Sequence, residues 1–343
     1  MNSIFKNIEA QFKKQLPFVA YKKPNETFIS AYLQETDKLF FADKLTEYGF
    51  VFAPFEGKEK AILIPEKYSE FITEEFVINE ELTFKNHFSD DFSSKENHIE
   101  LVEKAISAIN NNEFKKVVVS RKELVQLVDF DLITVFEKLL NLYTNAMVYV
   151  WFHPKVGLWF GATPETLLKV KGNEFETMSL AGTQTYNGTT NVTWQQKEIE
   201  EQQFVTDYIV GNLKPTVKNI SASKTETIKA GNLLHLKTKI SGEFKTNSLE
   251  LISKLHPTPA VCGLPLDMSR DFILENENYK RSFYTGFLGE INTNSNFYVN
   301  LRCMEIVGEN AYIYVGGGIT KNSNPLKEWE ETVAKTRVMK KVL

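Results

Sequence analysis

A mixed α/β (α+β) fold is predicted for this chain of 343 residues by three observations. Short runs rich in aromatic and β-branched residues recur along it. Longer segments with apolar residues every three or four positions stand among them, and Gly, Pro and charged residues punctuate both. The length admits one large domain or two ordinary ones, and either can bury a substantial core.

The elements follow in order. Phe5, Ile8, Phe12 and Leu16 space the N-terminus as an amphipathic helix with lysines between them, and the continuous apolar run of a signal peptide is missing. Residues 18–90, with runs such as "KLFFA" and "YGFVFAPF", read as strands and turns. A polar loop, "DDFSS", opens a helix with Ile99, Val102, Ile106 and Ile109 on one side, ending at an Asn pair. That loop is the expected seam between a β-rich N-terminal part, residues 1–94, and the remainder, residues 95–343. "KKVVVSRKELVQL" is then a buried strand, "DLITVFEKLLNLY" a helix, "AMVYVWFH" a strand, and 157–183 a series of strands joined by turns. "QKEIEEQQFVTDYIVGNLK" is a helix and 225–245 is extended. The tail runs from a strand, "NAYIYVGGGIT", to a helix, "NPLKEWEETVAKTRVMKKVL".

Composition narrows the function classes. Hydrophobic residues at 42% and charged ones at 24% are ordinary for a globular protein. A formal charge of −4 argues against a nucleic-acid partner but leaves small anions open. No stretch is long enough to span a bilayer, so no membrane partner is expected. Cys262 and Cys303 are too few for a disulfide framework, which suits a reduced cytoplasm. His87, His98, His153, His235 and His256 have no metal-ligand spacing.

Chemistry concentrates in the second part. Alternation puts Lys116, Val118 and Ser120 on one strand face, and Lys115, Val117, Val119 and Arg121 on the other. A lysine opening a strand is ordinarily a solvated end; burial would lower its pKa and make it a general base. Glu198, Glu201, Val205 and Tyr208 share a helix face, so Glu201 is either a rim residue or a carboxylate with a partner. Glu328, Glu331 and Lys335 share a face with Val338 in the last helix, which Asn324 and Pro325 would start. Carboxylates on two helices suit a hard divalent cation, Mg²⁺, completed by substrate and water. Gly316–Gly318, read as lying between strand and helix, lack nucleotide-loop spacing but would leave N–H groups for a carboxylate. Arg302, read as lying on the strand before them, could clamp a second one. A structural turn and a surface Arg are the plainer readings of each alone. Together with Glu165 after a Thr-Pro turn, they point to a small dicarboxylate.

From "KKVVVSR", "GATPETLL", "SLAGT", "LLHLKTKISGE", "LHPTPAVCGLP", "YTGFLGE", "NLRC", "GGGI" and "EWEETVAK", in that order, the chain resembles the chorismate-utilising (anthranilate synthase component I-like) enzymes, and among them the isochorismate synthases. The resemblance covers roughly 95–343 and is weak before that. It implies one α/β domain with stacked central β-sheets, helices outside and a deep cleft, acting as a cytoplasmic monomer on chorismate. It implies Lys116 as the water-activating base and Glu165 as the general acid. Glu201 and Glu331 would be the Mg²⁺ carboxylates, with Glu198 and Glu328 in support. Gly182 and Thr183 would lie near the ring carboxylate, as would His235, while Arg302, Gly317, Gly318 and Lys335 would hold the enolpyruvyl carboxylate and metal-bound region.

Sister activities differ at named positions. Ammonia-using relatives carry Gln in place of Lys116, aminodeoxychorismate synthases carry Lys in place of Ala181, and salicylate synthases differ at "HPTPAVCGLP". The first two favour water as nucleophile; salicylate synthases share the base Lys, and the third position favours an isochorismate synthase over them. Gln202, Gln203 and Gly317 depart from commoner His, polar and Ala residues. A salicylate synthase, an anthranilate-type synthase and a non-catalytic chorismate or anion sensor are the other readings. Product fate, whether menaquinone, siderophore or salicylate, is not encoded in these motifs.

Overall fold

The computed structural model describes residues 3–43, 47–57, 59–79, 94–230, 233–245 and 247–343; most of the expected seam, and His87, lie outside them. Among the described residues two antiparallel sheets dominate, of nine and ten strands. The first sheet runs from a two-residue edge, Gly263–Leu264, through Lys116–Gln126, Asn310–Ile319, Cys303–Val307, Gly157–Thr163 and Met147–His153 to three N-terminal strands. The second runs from Val217–Ala222 through Leu233–Phe244, Glu174–Thr185, Thr166–Lys171, Asn296–Val299 and Phe287–Ile291 to Gly49–Ala53, Ile62–Pro65 and Phe40–Phe41. Strands before residue 79 thus join both sheets.

The layers follow from which faces are apolar. Ser3–Lys13 and Leu132–Leu142 cover the outer face of the first sheet, where Phe5, Ile8, Phe136 and Leu139 meet Phe18, Val150 and Phe160. Each such side chain, fully buried, contributes roughly 1.5–3 kcal/mol. Asp131 caps the second of these helices by accepting from Thr134 N. The first stops at Lys13, so Leu16 lies beyond it. Gln196–Leu213 and Ser248–Leu255 cover the second sheet through Val205, Ile209, Leu251 and Leu255. Between the sheets lies an aromatic layer: Phe52 stacks on Phe283 at 4.2 Å, Trp159 on Tyr314 at 5.2 Å, and Tyr284 on Tyr314 at 5.6 Å.

Lys95–Asn110 buries a face rotated from the expected one. His98, Leu101, Val102, Ala105, Ala108 and Ile109 turn inward, while Ile99 and Ile106 are only partly buried. Small Ala residues let the helix approach Pro325–Lys340 and the strand Lys116–Gln126, and that close approach outweighs the larger Ile side chains. As expected, Asn324 caps Pro325–Lys340 by accepting from Lys327 N at 3.1 Å.

Candidate active site

The site forms where the chain crosses between the sheets. Pro164 and Glu165 join Gly157–Thr163 of the first sheet to Thr166–Lys171 of the second. Asn300, Leu301 and Arg302 bring the chain back from Asn296–Val299 to Cys303–Val307. The two crossovers are tied together: Ala162 N donates to Arg302 O at 3.0 Å, Val299 N to Glu165 O at 3.0 Å, and Thr163 Oγ1 to Val299 O at 2.5 Å. Arg302 therefore stands in the link before its strand rather than on it. Its φ of +49° is a left-handed conformation rare for a residue with a Cβ.

Glu165 is partly exposed, yet protein surrounds its carboxyl. Desolvation raises its pKa to about 7, against the opposing pull of Arg302 and Lys116. A carboxylic acid that keeps its proton near neutrality can donate it.

Lys116 opens the strand Lys116–Gln126, with its Nζ 3.4 Å from Glu201 Oε1 and its side chain 17% exposed. Lys115 leaves by the other face and sets its Nζ 4.6 Å over the Phe204 ring. Both lysines thus contact the helix Gln196–Leu213, Lys116 at Glu201 and Lys115 at Phe204.

The glycines behave differently from the expected turn. Gly316–Gly318 lie inside the strand Asn310–Ile319, opposite Ser120, Val119 and Val118. Val118 and Ser120 direct their N–H groups away from this strand, to Cys262 O and Glu277 Oε1. The alternation of an antiparallel ladder then makes Val119 and Gly317 the hydrogen-bonded pair. Gly317 N–H is thereby occupied, whereas Gly316 and Gly318 face an edge beyond the end of Cys303–Val307. Lys335 Nζ meets Gly316 O there at 2.9 Å. A Cβ at Gly318 would stand 3.1 Å from Lys116 Cε, and one at Gly317 would stand 3.3 Å from Glu328 Oε2 and 3.9 Å from Glu331 Oε1.

Glu331 is ion-paired with Lys335. Burial raises the Glu328 pKa, Ser323 opposes this by hydrogen bonding, and the Glu331 charge adds to the rise. Burial lowers the Lys335 pKa, Glu331 pulls it back, and Arg302 pushes it further down. On the facing helix Glu201 holds Lys116, while Glu198 accepts from Gln195 N at 2.9 Å in a capping box. Among the described residues no three metal-ligating side chains stand close enough to hold an ion. Two neighbouring carboxylates beside a backbone without side chains nevertheless fit a hard cation held by one or two protein oxygens and completed by substrate and water. They do not form an all-protein cage.

Gly182, expected at a corner, is a β-bulge inside Glu174–Thr185. Its φ is +68°, and the register to Leu233–Phe244 shifts between Ala181 and Thr183. A Cβ there would come 3.2 Å from Glu198 Cβ, so the bulge lets the carboxylate-bearing helix close in. Thr183 pairs along the backbone with His235, whose Nδ1 is 3.0 Å from Gly182 O. Burial lowers the His235 pKa, and the charges of Lys335, Glu331 and Lys116 all reach it. Gln202, which departs from the commoner His, is buried, donating to Ser179 Oγ at 2.8 Å and Thr238 Oγ1 at 3.0 Å. A cleft thus gathers Glu165, Lys116, Arg302, Lys335 and His235, with Glu201, Glu328 and Glu331 along its wall. Protonated acid, amine and anion-binding cations in one cleft can hydrate or eliminate across an unsaturated carboxylate.

The family model described as "Chorismate binding enzyme" matches residues 59–343. The isochorismate synthase DhbC of Bacillus subtilis is 33% identical over 193 residues, covering 52% of this chain and 48% of that protein. The chain spans about half the length of the curated relatives it matches. The structure of MenF, the menaquinone-specific isochorismate synthase of Escherichia coli, superposes with a TM-score of 0.79 at 20% identity, over 95% of this chain and 88% of that one. Anthranilate synthase component I of Streptococcus pneumoniae gives 0.71 at 16% identity, over 94% and 92%. These solved structures share the fold. Among the described residues no helix is long and apolar enough to cross a membrane.

Proposed function

This chain belongs to the chorismate binding enzyme family, and from that premise we propose that it is an isochorismate synthase, an isomerase that converts chorismate reversibly to isochorismate. The observation that carries the reading is Glu165, a carboxyl with its pKa raised to about 7, within electrostatic reach of both Lys116 and Arg302. An acid and a base in one cleft are what hydration with loss of hydroxide requires. The alignment with isochorismate synthases from several bacteria supports the same choice.

On this reading water attacks ring carbon 2 and its proton passes to the amine of Lys116. The ring double bonds shift, and the carbon 4 hydroxyl leaves as water with the proton of Glu165. The atoms balance, and the reverse reaction uses the same groups in opposite roles. Arg302, with Lys335 and the open N–H of Gly318, would bind the enolpyruvyl carboxylate, while Gly182, Thr183 and His235 would flank the ring carboxylate. Gly317 would serve differently, because its missing side chain leaves room for Glu328 and Glu331. Glu201 and Glu331, supported by Glu198 and Glu328, would hold Mg²⁺. When bound, it supplies charge neutralisation for the ring carboxylate. Residues 95–343 would carry this chemistry, with 1–94 a divergent part of the same fold. The two buried free thiols, Cys262 and Cys303, suit a cytoplasmic enzyme.

Incubating the protein with chorismate and Mg²⁺ and identifying every product tests this. The expected product is isochorismate, with little pyruvate and no amine even in high ammonium. Stoichiometric pyruvate would make the protein a salicylate-forming lyase, and an aromatic amine would place it with the anthranilate branch. Lys116→Gln is expected to cut turnover by ~10²–10⁴-fold, since Lys115 faces elsewhere. Turnover at the wild-type rate in that variant would remove the base assignment.

A further inference from the structure

The strand that carries Lys116 is paired on one side, from Val117 to Gln126, by Asn310–Ile319. On the other side the strand Gly263–Leu264 reaches only Val117 and Lys116. Past that point Val118 O and Ser120 N face no strand. Side chains take its place: Arg281 Nη2 donates to Val118 O at 2.7 Å, and Glu277 Oε1 accepts from Ser120 N and Ser120 Oγ, each at 2.8 Å. A guanidinium donor and a carboxylate acceptor thereby copy the N–H and C=O of an absent neighbour.

The two side chains are joined to each other, Arg281 Nε to Glu277 Oε2 at 2.8 Å, and each is only 2% exposed. Arg281 Nη1 also reaches Val261 O at 3.0 Å and Thr285 Oγ1 at 3.3 Å. One guanidinium therefore holds three segments: the Lys116 strand, the stretch around Val261, and the turn before Phe287–Ile291. A buried ion pair is a weak source of stability, because desolvation offsets its attraction, and apolar residues of like volume often do as well. Apolar residues could not hydrogen-bond a strand edge. What the pair supplies is therefore register and orientation.

We propose that Glu277 and Arg281 are positioning residues that complete the edge of the Lys116 strand and so aim Lys116 into the cleft. The inference rests on the reading of Lys116 as the base. Val118 is two residues from Lys116 on the same strand face and lies opposite Gly318. A shift at Val118 moves the amine and the glycine edge together, and a displacement of ~1 Å can cost on the order of 10²-fold in rate.

The test uses the full chain and two readouts. The first is kcat and KM for chorismate; the second, taken without substrate, is the acetylation of Lys116 relative to Lys115, read by mass spectrometry. Glu277→Gln turns an acceptor oxygen into an amide facing the guanidinium. It is expected to lower kcat by about 10- to 10²-fold with KM nearly unchanged. The Lys116-to-Lys115 labelling ratio should change by at least about threefold, which is about 0.65 kcal/mol in relative access. Ser120→Ala should shift the ratio less, in the same direction, and Glu275→Gln, at an exposed position on the helix Leu266–Asn276, should change neither readout. A Glu277→Gln protein with a native circular dichroism spectrum and the wild-type labelling ratio overturns the proposal, whatever its kcat. If Glu277→Gln does not fold, Ser120→Ala decides by the same ratio, and an unchanged ratio there overturns it. Failure of the wild type to turn over chorismate would count against the isochorismate reading alone, since the labelling ratio needs no turnover.

Discussion

Along one face of the strand Asn310–Ile319 the molecule does two opposite things. Tyr314 fills the space between the sheets, stacked on Trp159 and Tyr284. Two and four residues later, on the same face, Gly316 and Gly318 yield that space to other side chains. Ser120, Tyr284 Oη and Lys116 stand where their side chains would be. The aromatic end is a core that fixes how the sheets stack, and the glycine end is a cleft lined by an acid, amines and a guanidinium. A sheet-on-sheet core becomes a site by losing side chains from one strand, at the level where both crossovers enter.

The largest effect expected from this division is at the cleft end. Glu165→Gln copies the shape of the acid without a proton to give, and should keep substrate affinity while losing ~10²–10⁴ in kcat. Near-normal turnover would break the contrast. The pH dependence sharpens it: kcat/KM should fall as pH rises through about 7, where Glu165 loses its proton. Stability carries the same signature. A carboxyl raised from 4.5 to about 7 gives the folded state an extra proton between those values, so stability falls as pH rises across them. Glu165→Gln removes that penalty. The variant should match the wild type below about pH 4 and exceed it above pH 7, by up to ~3 kcal/mol in denaturant titrations.

Refilling the emptied face should have an intermediate effect. Gly318 is exposed, and its Cβ would stand 3.1 Å from Lys116 Cε, so Gly318→Val should displace the amine rather than the fold. A loss of about 10- to 10²-fold in kcat, with the melting temperature nearly unchanged, is the expected outcome. A loss of stability without loss of rate would mean that the glycine serves packing. The smallest effect on rate belongs to the aromatic end. Phe52→Leu breaks the 4.2 Å stack on Phe283 and should cost roughly 1–2 kcal/mol of unfolding free energy while leaving kcat within about twofold.

The mixed α/β class, most helices and strands, and the residue types of the site are legible in the amino-acid pattern. Period-two runs such as "VVV" and "AMVYVWFH", and helix faces such as Glu201, Val205 and Tyr208, are local patterns that burial reads directly. The order of the motifs carried the family. Local patterns could not show that Gly316–Gly318 are paired within a strand, because an open edge depends on where the neighbouring strand Cys303–Val307 ends. Nor could they show that Arg302 leaves its strand for a left-handed link, or that Lys95–Asn110 turns its alanines rather than Ile99 and Ile106 inward. Nor could they show that Arg281 and Glu277 are buried against an incomplete sheet edge. The physical reason is common to all four: burial, ladder pairing and the pKa of Glu165 are set by contacts between residues far apart in the chain, which only the tertiary structure brings together.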